Sequence, residues 1–188
     1  MERQIYAAGM LLVAFMALGA APATRAVPAD GTITSGWVEL KQGEAEGTIQ
    51  MDAKHATNPD PHLLKLSVTR YAGPGKGRFG ARNTLAIPVQ EGASYEVTFK
   101  GVSEGIGVGL VFSLETDDGK VLARTTLPEI GRGGGRGRGR GASASSAGPT
   151  WQPYLVSLHA RASGTGHLVV TPIETVPVWL ENVRIEKK

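Results

Sequence analysis

The sequence predicts an all-β protein: a jelly-roll β-sandwich of about eight to ten antiparallel strands carrying one long disordered loop. Three observations lead there. From Trp37 onward, short runs rich in β-branched and aromatic residues alternate apolar with polar side chains. Gly, Pro, Asn and Asp separate these runs at the spacing of an antiparallel sandwich. No stretch carries a sustained apolar stripe of helical period, and the 26 Gly and 11 Pro interrupt most windows long enough to hold one.

Taken in order, Leu64, Leu66 and Val68 face inward against Lys65, Ser67 and Thr69. The clearest strand is Tyr95-Glu96-Val97-Thr98-Phe99-Lys100, whose period of two gives one apolar and one wet face. Val108, Leu110, Phe112 and Leu114 form the next stripe and lead into Thr116-Asp117-Asp118-Gly119-Lys120. Asp-Gly supplies the positive φ that a tight hairpin needs, so Val121 to Thr126 is expected to return beside that stripe. After Trp151, residues Tyr154, Val156 and Leu158 point inward, and a last strand from Val178 to Glu186 sets Trp179, Val183 and Ile185 on one side. No internal repeat is visible.

Two segments fall outside this pattern. Residues 1–26 read as a secretory signal: Arg3 precedes an apolar run from Ala7 to Ala21, and small residues then offer cleavage after Ala23 or Ala26. The run falls short of the roughly 20 residues that span a bilayer, and no later run is longer. The product is expected to be exported, to the periplasm or beyond, with residues 27–188 forming one sandwich domain. Residues 128–150 form an Arg/Gly/Ser-rich insertion that cannot bury apolar surface and so is expected to be a mobile loop.

The absence of Cys excludes a disulfide scaffold, a Cys-ligated metal centre and a thiol nucleophile. The formal charge of +3 belongs to the loop: taking away Glu2, Arg3 and Arg25 with the leader, and Arg132, Arg136, Arg138 and Arg140 with the insertion, leaves −2 on the body. Specific nucleic-acid binding is therefore not expected of the body. The four tract arginines are candidates for contact with an anionic cell-surface polymer, the competing reading being a low-complexity expansion in a tolerant loop.

Four runs in order give a resemblance. Leu63 to Val68, Gln90 to Phe99 with its Gly92, Tyr95, Val97 and Phe99, Thr150-Trp151-Gln152-Pro153-Tyr154, and Val178 to Ile185 resemble the strands of CenC-type carbohydrate-binding modules, the family 4, 9, 16 and 22 group. The resemblance covers residues 36 to 186. It implies a jelly roll related to galactose-binding-like domains, a polysaccharide or oligosaccharide as partner, no catalysis, and company with glycoside hydrolases. Where the family closes on an Asp that sometimes ligates a structural calcium, this chain has Glu181 and Asn182, whose oxygens are the calcium candidates. The family's opening motif is absent, and the Arg-Gly insertion is foreign to it.

Sugars present apolar C–H faces edged with hydroxyls, so a site needs aromatic rings flanked by hydrogen-bonding side chains. Tyr71 ends a strand and opens the Gly-rich loop Ala72 to Phe79, with Arg78, Arg82 and Asn83 close behind. Trp37, Trp151 and Trp179 are the other ligand-binding candidates, each with a core-packing alternative; Tyr95 is read as core. His55, His62, His159 and His167 form no metal-binding spacing, and no G-x-S-x-G elbow or other catalytic signature is present. A cell-envelope structural or adhesive protein and a small glycan-active hydrolase are the rival readings.

Overall fold

The structure is a computed structural model that describes residues 28, 30–73, 75–104, 107–131 and 151–188. The expected signal segment and the Arg132 to Arg140 tract lie outside the described residues.

Eleven strands and no helix are present among the described residues: β1 (Trp37–Gly43), β2 (Glu46–Gln50), β3 (Leu64–Arg70), β4 (Gly77–Asn83), β5 (Ile87–Val89), β6 (Ser94–Ser103), β7 (Val108–Glu115), β8 (Val121–Ile130), β9 (Gln152–His159), β10 (Gly164–Pro172) and β11 (Val178–Lys187). They form two antiparallel sheets. One has the order β1-β4-β10-β7-β8 with β5 beside β10, and the other has β2-β3-β11-β6-β9. This is the expected all-β jelly-roll sandwich, with more strands than the alternation alone picks out. The extra ones are short or poor in apolar residues: β5 has three residues, and β4 begins inside the segment read as the Tyr71 loop.

The core lies between the sheets. Leu64, Leu66, Tyr95, Val97 and Phe99 enter it from one side, and Leu110, Phe112, Leu114, Leu168 and Val170 from the other. The rings of Phe99 and Phe112 meet across the middle with centroids 5.2 Å apart. The Asp-Gly hairpin is present: Gly119 has φ 84°, its N–H donates to the Thr116 carbonyl at 3.0 Å, and β8 returns along β7.

Three details depart from the sequence reading. First, β8 runs through Pro128 to Ile130, so the insertion begins later than position 128; Pro128 is accommodated because β8 is an edge strand. Ile130 is fully buried and its carbonyl accepts the Ser103 hydroxyl at 3.0 Å. Second, β11 shifts register between Glu181 and Arg184, where Asn182 takes φ 53°. That bulge reverses which face the side chains point to. Val183 and Ile185 join the main core, whereas Trp179 lies on the opposite face beside Val102. Third, β7 is buried along its whole length, so its second face, Gly109, Val111, Ser113 and Glu115, is not a wet face.

Candidate functional site

The second face of β7 belongs to the outer surface of the six-stranded sheet. Register places Arg82 of β4, Val169 of β10, Ser113 of β7 and Arg124 of β8 in one row across it. Over this surface lies a hollow of about 460 Å³. Val111, Thr171 and Pro172 form its floor, Gln42 and Arg78 one wall, Arg124 the other, and the loop of Tyr71 and Lys76 its rim. Ile173 closes one end: its N–H donates to the Gly109 carbonyl at 3.0 Å, while the Gly109 N–H donates to Glu174 at 2.7 Å.

The rim is held by two glycines that let the end of β1 and the beginning of β4 meet in close contact. Gly43 has φ 63°, and a Cβ there would sit 2.1 Å from the Lys76 carbonyl oxygen; one on Gly77, φ 143°, would sit 2.2 Å from that of Gln42. The Glu44 N–H also donates to the Lys76 carbonyl at 3.2 Å. Tyr71, carried on this rim, is 45% exposed and presents its ring to solvent.

Arg78 is fixed by three hydrogen bonds. Its Nε–H donates to Gln42 Oε1 at 2.7 Å, and its two terminal nitrogens donate to the two carboxylate oxygens of Glu115 at 2.5 Å each. Ser113 Oγ–H donates to the same carboxylate at 2.5 Å. Glu115 is only 2% exposed. Burial pushes its carboxyl up, but the Arg78 and Ser113 hydrogen bonds, with the charges of Arg78 and Arg124, outweigh burial and hold it below the ordinary Glu value. A guanidinium has five N–H groups, so two remain on Arg78 for a ligand. The Thr171 hydroxyl lies buried beneath the floor of the hollow, without a hydrogen-bond partner among the described residues.

The sequence candidates fall into separate places. Tyr71 and Arg78 come together at the hollow. Arg82 shares the sheet face, where it pairs with Asp117; His167 Nε2 also lies 3.4 Å from that carboxylate, and its Nδ1 is 3.1 Å from the Asn83 carbonyl. Asn83 is not available to a ligand. Fully buried, it donates from Nδ2 to the Ser35 carbonyl at 2.8 Å and accepts the Leu85 N–H at 2.9 Å. Asn83→Ala is expected to strand both backbone groups and cost about 2 kcal/mol of stability in urea unfolding. Trp37 is buried in the core.

Trp151 and Trp179 lie on the outer face of the other sheet, where Ala53, Leu63 and Val102 complete a small apolar cluster. His55 stands edge-on to both rings, at 5.3 Å from Trp151 and 5.0 Å from Trp179, and Lys65 Nζ lies 4.7 Å from the Trp179 ring. Trp179 is thus covered, and Trp151 is half-buried against the same cluster. At the calcium candidates Glu181 and Asn182, the Asn182 Nδ2–H donates to Glu181 at 2.7 Å, and Asn58 donates to the same carboxylate at 2.6 Å. Among the described residues no three His, Asp or Glu converge as metal ligands. Arg132, Arg136, Arg138 and Arg140 lie outside the described residues.

Sequence reasoning missed Gln42, Lys76, Ser113, Glu115, Arg124 and Thr171. The available signal was Ser113 and Glu115, two polar residues alternating with the apolar stripe of β7.

No family model matches the sequence, and no curated protein matches it. Solved structures share its fold. The arabinose-bound α-L-arabinofuranosidase MgGH51 superposes with TM-score 0.55 at 17% identity, over 81% of this chain and 23% of that one; this chain thus spans about a quarter of the enzyme. A CBM4 structure superposes with TM-score 0.50 at 9% identity, over 81% of this chain and 86% of the other. The unliganded CBM1 of BiXyn10A gives 0.51 at 15%, over 83% and 96%. The chain has the jelly-roll fold of carbohydrate-binding modules.

Proposed function

We propose that this chain is an exported, non-catalytic protein that holds a segment of polysaccharide in the hollow on the outer face of its six-stranded sheet. The observation that carries the reading is the joining of an exposed aromatic ring, Tyr71, to a pre-fixed guanidinium, Arg78, in one solvent-open hollow. Tyr71 offers an apolar surface to sugar C–H groups. Gln42, Lys76, Arg78 and Arg124 offer hydrogen bonds to ring hydroxyls, a pattern of few polar groups around a concave surface. Because Gln42 and Glu115 already hold Arg78, a ligand would gain its hydrogen bonds with little further ordering. Carbohydrate-binding modules with the same fold support saccharide as the ligand class.

Glu115 bears on the hydrolase alternative. A glycosidase acid must keep its proton near neutral pH, which requires a raised pKa, whereas Arg78 holds Glu115 ionised. Its role in this reading is to anchor Arg78. Export rests on the leader-like residues 1–26, and partnership with glycoside hydrolases rests on the motif resemblance. A cell-envelope role in which Arg132 to Arg140 contact an anionic polymer rests on charge alone.

The test is retention of the purified chain on a panel of soluble polysaccharides by affinity electrophoresis. At least one glycan is expected to be retained, with Tyr71→Ala weakening it about tenfold, the value of one lost stacking contact with its buried area. Retention unchanged by Tyr71→Ala and by Arg78→Gln would remove the hollow as the site.

A further inference from the structure

The charges around the hollow are one-sided. Lys76, Arg78 and Arg124 line it, and no Asp or Glu does so among the described residues. Glu115 lies beneath and neutralises Arg78. Lys76 and Arg124 have no carboxylate within ion-pair distance among the described residues, although Arg70, Arg82 and Lys100 elsewhere are paired with Glu44, Asp117 and Glu181. One buried carboxylate thus sits beneath three cations, and the net positive charge left on this concave surface is concentrated by its low-dielectric walls. Arg124 also borders a second hollow, about 410 Å³, along the edge strand β8, and Arg161 lines that one. Basic groups thus continue past the edge of the sheet, as a polymer bearing repeated charge would require.

The aromatic side is thin. Tyr71 is the one aromatic residue among the described residues that line the hollow, so stacking supplies only part of what holding a neutral chain demands. Guanidinium groups match carboxylates and sulfates through paired N–H donors, and such charge-assisted bonds are about twice as strong as neutral ones.

We propose that the hollow selects acidic saccharides, sugars bearing a carboxylate or sulfate, over neutral ones, with Lys76 and Arg124 as the selecting residues. The proposal rests on the hollow being the glycan site. Its test uses the full chain with Arg132, Arg136, Arg138 and Arg140 changed to Gln, so that the tract contributes no charge. Two matched pairs serve as probes: polygalacturonate against its methyl-esterified form, and dextran sulfate against dextran. In at least one pair the charged member is expected to bind about tenfold more tightly. Lys76→Gln with Arg124→Gln should erase that preference, and raising the salt from 0.05 to 0.5 M, as order-of-magnitude conditions, should shrink it. Which pair responds identifies the anion.

Equal binding of charged and neutral members, or a preference indifferent to both substitutions, overturns the proposal while leaving the hollow as a glycan site. Failure of every glycan to bind, in this chain and in the unmodified one, overturns the site itself. Neither Lys76 nor Arg124 makes an ion pair or a side-chain hydrogen bond among the described residues, so their Gln variants should melt close to the parent chain and keep the comparison clean.

Discussion

Arg78→Ala is expected to lower the free energy of unfolding by about 3 kcal/mol at neutral pH and to abolish saccharide retention. The stability loss arises from Glu115, which stays buried and charged when its bidentate partner is removed. The figure sits at the low end for a broken buried pair because Arg78 is 25% exposed and water softens the loss. The variant Arg78→Ala with Glu115→Ala should recover most of the stability and none of the binding, separating folding from recognition.

The penalty should depend on pH. The Glu115 carboxyl titrates below the ordinary value of 4.5 because Arg78, Ser113 and Arg124 outweigh burial. A depressed carboxyl contributes its stability in full above its unfolded value and loses it as pH falls through the folded value. Without Arg78, burial dominates and the carboxyl protonates more readily. The difference in stability between the parent and Arg78→Ala should therefore be greatest near pH 7 and narrow as pH falls first through the variant's raised carboxyl and then through the parent's lowered one, as urea titrations at several pH values would show. A difference constant from pH 7 to pH 3 would mean that the charge pair is not its source.

Phe112→Ala is the other large effect, a loss of about 3–5 kcal/mol in urea unfolding. Phe112 is wholly buried at the centre of the sandwich, 5.2 Å from Phe99, which in turn stacks on Tyr154 at 5.3 Å. Removing the ring opens a cavity between two sheets whose backbones are tied to neighbouring strands and cannot close it. Its neighbours Val111 and Ser113 face the opposite way, so the molecules that remain folded should keep their saccharide affinity. Opposite outcomes for Phe112 and Arg78 on binding would follow from their opposite faces of the sheet, although both substitutions destabilise.

Which parts of this architecture were legible depends on local pattern. Tyr95, Val97 and Phe99 alternate with polar residues in consecutive positions, and the Asp118-Gly119 turn joins β7 to β8 directly, so both features can be read from a dozen residues. β4 was hidden because its inward residues are Phe79, Ala81 and Asn83, and its outward ones Arg78, Gly80 and Arg82, which reads as a glycine-rich loop. Trp179 was assigned to the wrong side because alternation holds only in an unbroken ladder, and the bulge at Asn182 interrupts it. Tyr71 and Arg78 were found as near neighbours in sequence. Their partners Gln42, Glu115, Arg124 and Thr171 come from four other strands, and only sheet order brings them together.

Saccharide is expected to occupy the outer face of the six-stranded sheet. Amide chemical-shift mapping with the tightest-retained glycan tests it most directly. The largest shifts are expected on Gln42, Tyr71, Lys76 to Arg78, Arg124 and Thr171, with Trp151, Trp179 and His55 silent. Shifts concentrated on Trp151, Trp179 and His55, or on Arg132 to Arg140, would contradict it.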